Sequence, residues 1–111
     1  MSASMPPVPA AIQSALACLA PELPYGARVI VFGSYAEGRA RADSDIDLLV
    51  IEPEVQDRVA EMIRLSALLG RKLIPADVVV MSSEMLGRQR KITNTLAWRI
   101  ARQGIEYEFV R

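Results

Sequence analysis

Three short apolar runs constrain the fold of this chain more than anything else in it: ARVIVFG (27–33), IDLLVIE (46–52) and PADVVVM (75–81). Each is too short for a core helix and too uniformly apolar for a strand with one wet face. Runs of this kind are strands covered on both sides, and the covering layers must be helices. Ile12, Ala15, Leu16 and Leu19 predict a helix over Ala10–Ala20, ended by Pro21 and Pro24 with a turn at Gly26. Val55, Val59, Met62, Ile63, Leu69 and Leu73 predict a second helix from Glu54 to about Lys72. It carries Glu54 and Asp57 in its first turn and Arg71 and Lys72 in its last, as the helix dipole prefers. Thr93–Gln103 reads as a third helix stopped by Gly104, and IEYEFV (105–110) as an alternating final strand. The order α-β-β-α-β-α-β with short connections implies an α/β fold, a small mixed β-sheet covered by α-helices. Residues 1–9, rich in Pro and Ser, are expected to be a flexible N-terminus, and 10–111 a single domain.

Two of the strand runs contain acids. Asp45 and Asp47 lead into LLVI, and Asp77 opens VVVM. Side chains alternate along a strand, so Asp45 and Asp47 are expected to project together while Ile46 and Leu48 face the core. Adjacent carboxylates repel and lose hydration, and a divalent cation reverses both penalties. All-oxygen sites suit Mg²⁺ or Mn²⁺. If the two strands are neighbours, three carboxylates can hold two ions about 3.5–4 Å apart. Gly33 lets backbone approach a ligand closely, and a short helix opening at Ser34 would aim free N–H groups and a hydroxyl at a phosphate. The plain alternative is a hairpin-like turn, ADSD (42–45), capping a strand.

Composition removes several function classes. The chain has no histidine, which excludes Ser-His-Asp and Cys-His catalysis and histidine-dependent zinc sites. Thirteen basic and thirteen acidic residues cancel, which argues against general nucleic-acid binding. Cys18 is the only cysteine and reads as a small apolar filler. No window approaches 18 uninterrupted apolar residues, and no basic residue precedes Arg28. Neither a membrane span nor a secretory signal is expected, and the expected location is cytoplasmic.

Gly33-Ser34, ten residues, then Asp45-Ile46-Asp47 resembles the signature of the polymerase-beta-like nucleotidyltransferase superfamily. Gly38, Arg41, Ser44 and Leu48 sit where the fuller pattern expects them, and Asp77 matches its third carboxylate. Glu37 departs from the arginine that many members carry. The brevity is similar to that of the minimal nucleotidyltransferases, many of them antitoxins paired with a HEPN-domain ribonuclease toxin. The resemblance implies ATP as substrate, two Mg²⁺ (or Mn²⁺) on Asp45, Asp47 and Asp77, and nucleotide contacts from Gly33, Ser34, Asp45 and Asp47. It also implies transfer of AMP to a hydroxyl, a tyrosine of the toxin by family precedent. Larger members continue into a helical domain that holds the acceptor. This chain stops at Arg111, so the acceptor is expected to come from a partner. Two alternatives are a small-molecule adenylyltransferase of the aminoglycoside type and a non-catalytic antitoxin that blocks its partner sterically.

Other residues carry plainer expectations. Arg39 and Arg41 are contacts to the triphosphate or to an acidic partner, or solvated loop charges. GRQRK (87–91) is a solvated helix end, Ser44 caps a turn, and Trp98 covers a sheet edge or anchors an interface.

Overall fold

The computed structural model describes residues 9–41 and 43–107. Helix α1 (Ala10–Leu19) runs into one 3₁₀ turn (Ala20–Glu22), followed by β1 (Arg28–Phe32), β2 (Ile46–Glu52), α2 (Arg58–Arg71), β3 (Ala76–Ser82), α3 (Ser83–Gln89), α4 (Leu96–Gln103) and β4 (Ile105–Tyr107). The sheet is mixed, in the order β3-β2-β1-β4, with β2 antiparallel to β1 and parallel to β3. Residues 1–8 and the last part of the expected final strand lie outside the described residues.

Both faces of the sheet are covered, as the apolar runs require. Val29, Val31, Ile46, Leu48, Val50, Val78 and Val80 pack against Ile12, Leu16 and Leu19 of α1 and Leu65 and Leu69 of α2. Ile30, Leu49, Ile51 and Met81 face the other way, onto Leu86 of α3 and Ala97 and Ile100 of α4. Each fully buried aliphatic side chain contributes roughly 1.5–3 kcal/mol. The predicted stripe of α1 is the buried one: Ile12, Ala15, Leu16 and Leu19. Cys18 fills space between helices, its thiol donating to the Leu68 carbonyl at 3.5 Å.

Helix α2 differs from expectation at its start and in its rotation. It begins at Arg58, because the Asp57 carboxylate accepts from the Ala60 N–H and caps it. Glu54 therefore precedes the helix, and Glu61 is the acid of its first turn. The buried stripe runs through Leu65 and Leu69, which leaves Val59, Ile63 and Leu73 exposed. Helix α4 likewise starts later, at Leu96, capped by the Thr95 hydroxyl. Its buried residues are Ala97 and Ile100, while Ala101 is exposed. Trp98 is half-buried under the Arg102 guanidinium, 4.9 Å from the ring centre. Helix α3 is additional to the expected element order, which places only a helix end at GRQRK. Ser82 ends β3 and caps α3 in one residue, its hydroxyl accepting from the Met85 N–H. Arg88, Arg90 and Lys91 at its end are exposed, as expected of GRQRK.

Glu52 ends β2 in phase with Val50 and Leu48, and is 5 % exposed. Its Oε2 has no hydrogen-bond donor among the described residues. Burial and the neighbouring Glu61 carboxylate push Glu52 up to about 7. Glu61, gripped by Arg64 at 2.8 Å and bonded to Glu52, is lowered to about 2. Burial beside Glu61 favours the protonated form of Glu52, whose proton supplies the donor the geometry lacks. In the unfolded chain both titrate near 4.5. On the acid side, the lowered Glu61 contributes stability that is lost as pH falls toward 2. Between 4.5 and about 7 the folded pair keeps a proton that the unfolded chain has released, so stability falls as pH rises through that window. Glu52→Gln supplies a permanent donor and should flatten that decline. Melting temperatures measured from about pH 5 to 8 check this, and parallel slopes for variant and wild type would contradict it.

Candidate active site

Strand pairing brings together three side chains that sequence order keeps apart. Phe32 at the end of β1 pairs with Asp47 on β2, and Asp47 pairs with Asp77 on β3. Neighbouring strands lie about 4.8 Å apart. Phe32, Asp47 and Asp77 therefore form one row across three strands. Ile46, Leu48 and Val78 lie in the core on the α1/α2 side, so the alternating row faces the α3/α4 side. Asp45 sits just before β2 and adds to the charge at the row. Burial first, then Asp77, then Asp45 hold the Asp47 carboxyl above its ordinary value of 3.8. Asp45 and Asp77 are exposed, and Asp47 is half-buried.

The loop above the row is built by its backbone. Gly33 has φ +70°, a left-handed conformation that favours glycine. A Cβ added there would strike the Asp47 carboxylate, with Cγ only 3.0 Å away. The glycine thus lets the loop close directly over Asp47. The expected helix at Ser34 is absent, and residues 33–38 form successive turns instead. The Glu37 N–H donates to the Gly33 carbonyl at 3.0 Å and the Arg39 N–H to the Ser34 carbonyl at 2.8 Å. Ser44 closes the far side, its hydroxyl accepting from the Arg41 N–H at 2.8 Å, as a turn cap should. Arg39 pairs with Glu37 at 3.0 Å. A pocket of about 180 Å³ opens beside this loop, between Phe32, Gly33 and Glu37 on one side and α4 on the other. The sequence reading had not linked α4 to the site, because its approach to Gly33 is visible only in the tertiary arrangement.

The donor set suits a hard divalent ion. Among the described residues no three acidic, histidine or cysteine side chains are close enough to make a ready-formed cage. The fit lies in the charge: one half-buried carboxylate is destabilised by two like charges, and a cation removes that cost. An isolated turn cap has no need of the second strand's acid in register.

These features define a small α/β domain with a row of carboxylates beneath a glycine loop. Residues 14–101 match the family model of the nucleotidyltransferase domain, and the chain belongs to that family. No curated protein matches the chain. Among solved structures, it is similar to a toxin–antitoxin crystal structure with AMP-PNP, at 24% identity and TM-score 0.62, covering 89% of this chain and 73% of that one. It is similar to a mutant of the toxin–antitoxin MntA-HpeT, at 22% identity and TM-score 0.60, over 90% and 73% of the two chains. A proposed nucleotidyltransferase from Sulfolobus solfataricus aligns at 20% identity and TM-score 0.53, over 94% and 91%. At these identities the likeness establishes the fold. Among the described residues no helix is long and apolar enough to cross a membrane.

Proposed function

We propose that this protein transfers AMP from ATP to a hydroxyl of a partner protein, a tyrosine of a HEPN-type toxin, and so acts as an antitoxin. The observation that carries the nucleotide chemistry is the Asp47–Asp77 register beneath Gly33. The similar toxin–antitoxin structures, one with AMP-PNP, support ATP as donor and a toxin as acceptor.

In this reading Asp45, Asp47 and Asp77 would hold two Mg²⁺. When bound, such ions neutralise phosphate charge and lower the acceptor's pKa. The Gly33–Ser34 backbone and the Ser34 hydroxyl bind phosphate oxygens. The tyrosine oxygen forms a bond to the α-phosphorus, the bond from that phosphorus to the β-bridging oxygen breaks, and pyrophosphate leaves. Asp77, exposed at the outer strand, receives the tyrosine proton, since the chain has no histidine for that task. Positioning and charge compensation supply most of the acceleration.

ATP binding should depend on Mg²⁺ or Mn²⁺, because phosphate oxygens complete a coordination shell the carboxylates only begin. Calorimetric titration with and without the ion checks this. ATP affinity indifferent to the ion would remove the carboxylates from the nucleotide site.

A further inference from the structure

A net charge of zero hides an uneven distribution. Residues 83–103, which build α3, α4 and the turn between them, hold five cations against one acid, Glu84. This layer therefore carries +4 and the remainder of the chain −4. Arg88 lies 3.6 Å from Glu84, with both side chains open to water. Arg90, Lys91, Arg99 and Arg102 are exposed and enter no ion pair among the described residues. Arg28, Arg39 and Arg64, by contrast, are each gripped by a glutamate. Like charges left unpaired on one layer repel one another, and a covering surface of opposite sign removes that cost. The layer also has apolar anchors: Ile92, 56 % exposed, follows Lys91, and Trp98 is half-buried under Arg102. Two pockets of about 180 Å³ border α4, and each has one of these arginines in its wall, Arg90 near Ile30 and Leu86, Arg99 near Gly33.

We infer that the outward face of α3 and α4 docks an acidic face of the acceptor protein. This rests on the protein-acceptor reading above and adds the surface on which the acceptor sits. The carboxylate row lies on the same side of the sheet as this layer, and Phe32 at its end shares a pocket with Arg99. A partner held on α4 thus reaches the row without crossing the sheet. The two fields have opposite sign. An acidic patch settles on the basic layer and is turned away from Asp45, Asp47 and Asp77, which fixes the partner's orientation. Nucleic acid fits less well. Trp98 is half-buried with Arg102 across its ring, where a stacking platform needs a free face. A chain of zero net charge also gives a polyanion no long-range pull.

The test is binding of the whole chain to the toxin encoded beside this protein, by surface plasmon resonance over a range of salt. AMP transfer and ATP calorimetry are run on the same preparations. Arg90→Glu/Lys91→Glu should weaken toxin binding at least about tenfold, chiefly through slower association, and should flatten its salt dependence. KM for the toxin should rise with kcat little changed, and ATP affinity should match wild type. Arg71→Glu/Lys72→Glu changes charge equally at the exposed end of α2, on the other side of the sheet, and should bind the toxin as wild type does. All four side chains are exposed, so unchanged melting temperatures are expected. Wild-type affinity in the Arg90/Lys91 variant, or equal loss in both variants, would overturn the inference and leave the AMP-transfer reading intact. Tighter binding of a single-stranded RNA oligonucleotide than of the toxin, lost in the Arg90/Lys91 variant, would make the layer a nucleic-acid face and overturn it as well. A wild type that binds the toxin through this layer yet adds no AMP would overturn the transfer reading and leave the docking face standing.

Discussion

Asp47→Asn is expected to slow AMP transfer by at least about 100-fold, the usual scale for loss of a principal electrostatic stabiliser. The substitution keeps shape and removes charge at the centre of the row, between Phe32 and Asp77. Stability should move the other way. Burial and two like charges raise the Asp47 pKa in the free protein. A group whose folded pKa is raised weakens folding above its unfolded value, so the neutral amide should leave the melting temperature at neutral pH unchanged or higher. Function lost while stability is kept marks a residue held for chemistry. Asp77→Asn should also abolish most transfer, with ATP binding better preserved, because the role proposed for Asp77 is to receive the acceptor's proton. Labelled-AMP transfer and thermal melts on the same preparations check both halves. Wild-type rates in both variants would refute the carboxylate assignment.

Gly33→Val is expected to abolish measurable ATP binding. Valine is stiff and β-branched, and φ +70° is strongly unfavourable for it, costing on the order of 1–3 kcal/mol. Its Cβ would also meet the Asp47 carboxylate. A bulky side chain here thus displaces the Asp47 carboxylate, the proposed metal ligand, and fills the proposed phosphate cradle. The sheet should survive, since Gly33 lies just past β1, whose core residues Val29 and Val31 are untouched. Circular dichroism and ATP calorimetry separate folding from binding. Wild-type nucleotide affinity in this variant would place the phosphates elsewhere.

The central strands were legible because β1, β2 and β3 are buried on both faces, and no other element needs such runs of Val, Ile and Leu. The acids of the site were legible for the complementary reason, as charges where apolar residues were due. Their pairing was not, because a parallel Asp47–Asp77 register depends on which strands become neighbours. The start of helix α3 escaped because Ser82 serves at once as strand end and helix cap, with no loop between. The rotation of α2 was misjudged because Met62 and Ile63 stand at helical spacing from Val59, yet Val59 and Ile63 face outward. Leu65 and Leu69 set the buried stripe. Glu52 carried a signal that went unread, a charge in phase with Val50 and Leu48.

The most direct test of the antitoxin reading is the intact mass of a HEPN-type toxin encoded beside this protein, taken after incubation with this protein, ATP and Mg²⁺. The toxin should gain one or more AMP groups, with substoichiometric protein silencing excess toxin. The Asp45→Ala/Asp47→Ala double variant should add no mass and give no protection in co-expression. An unmodified toxin, fully silenced by that double variant at equal stoichiometry, would contradict AMP transfer and leave only a steric blocker.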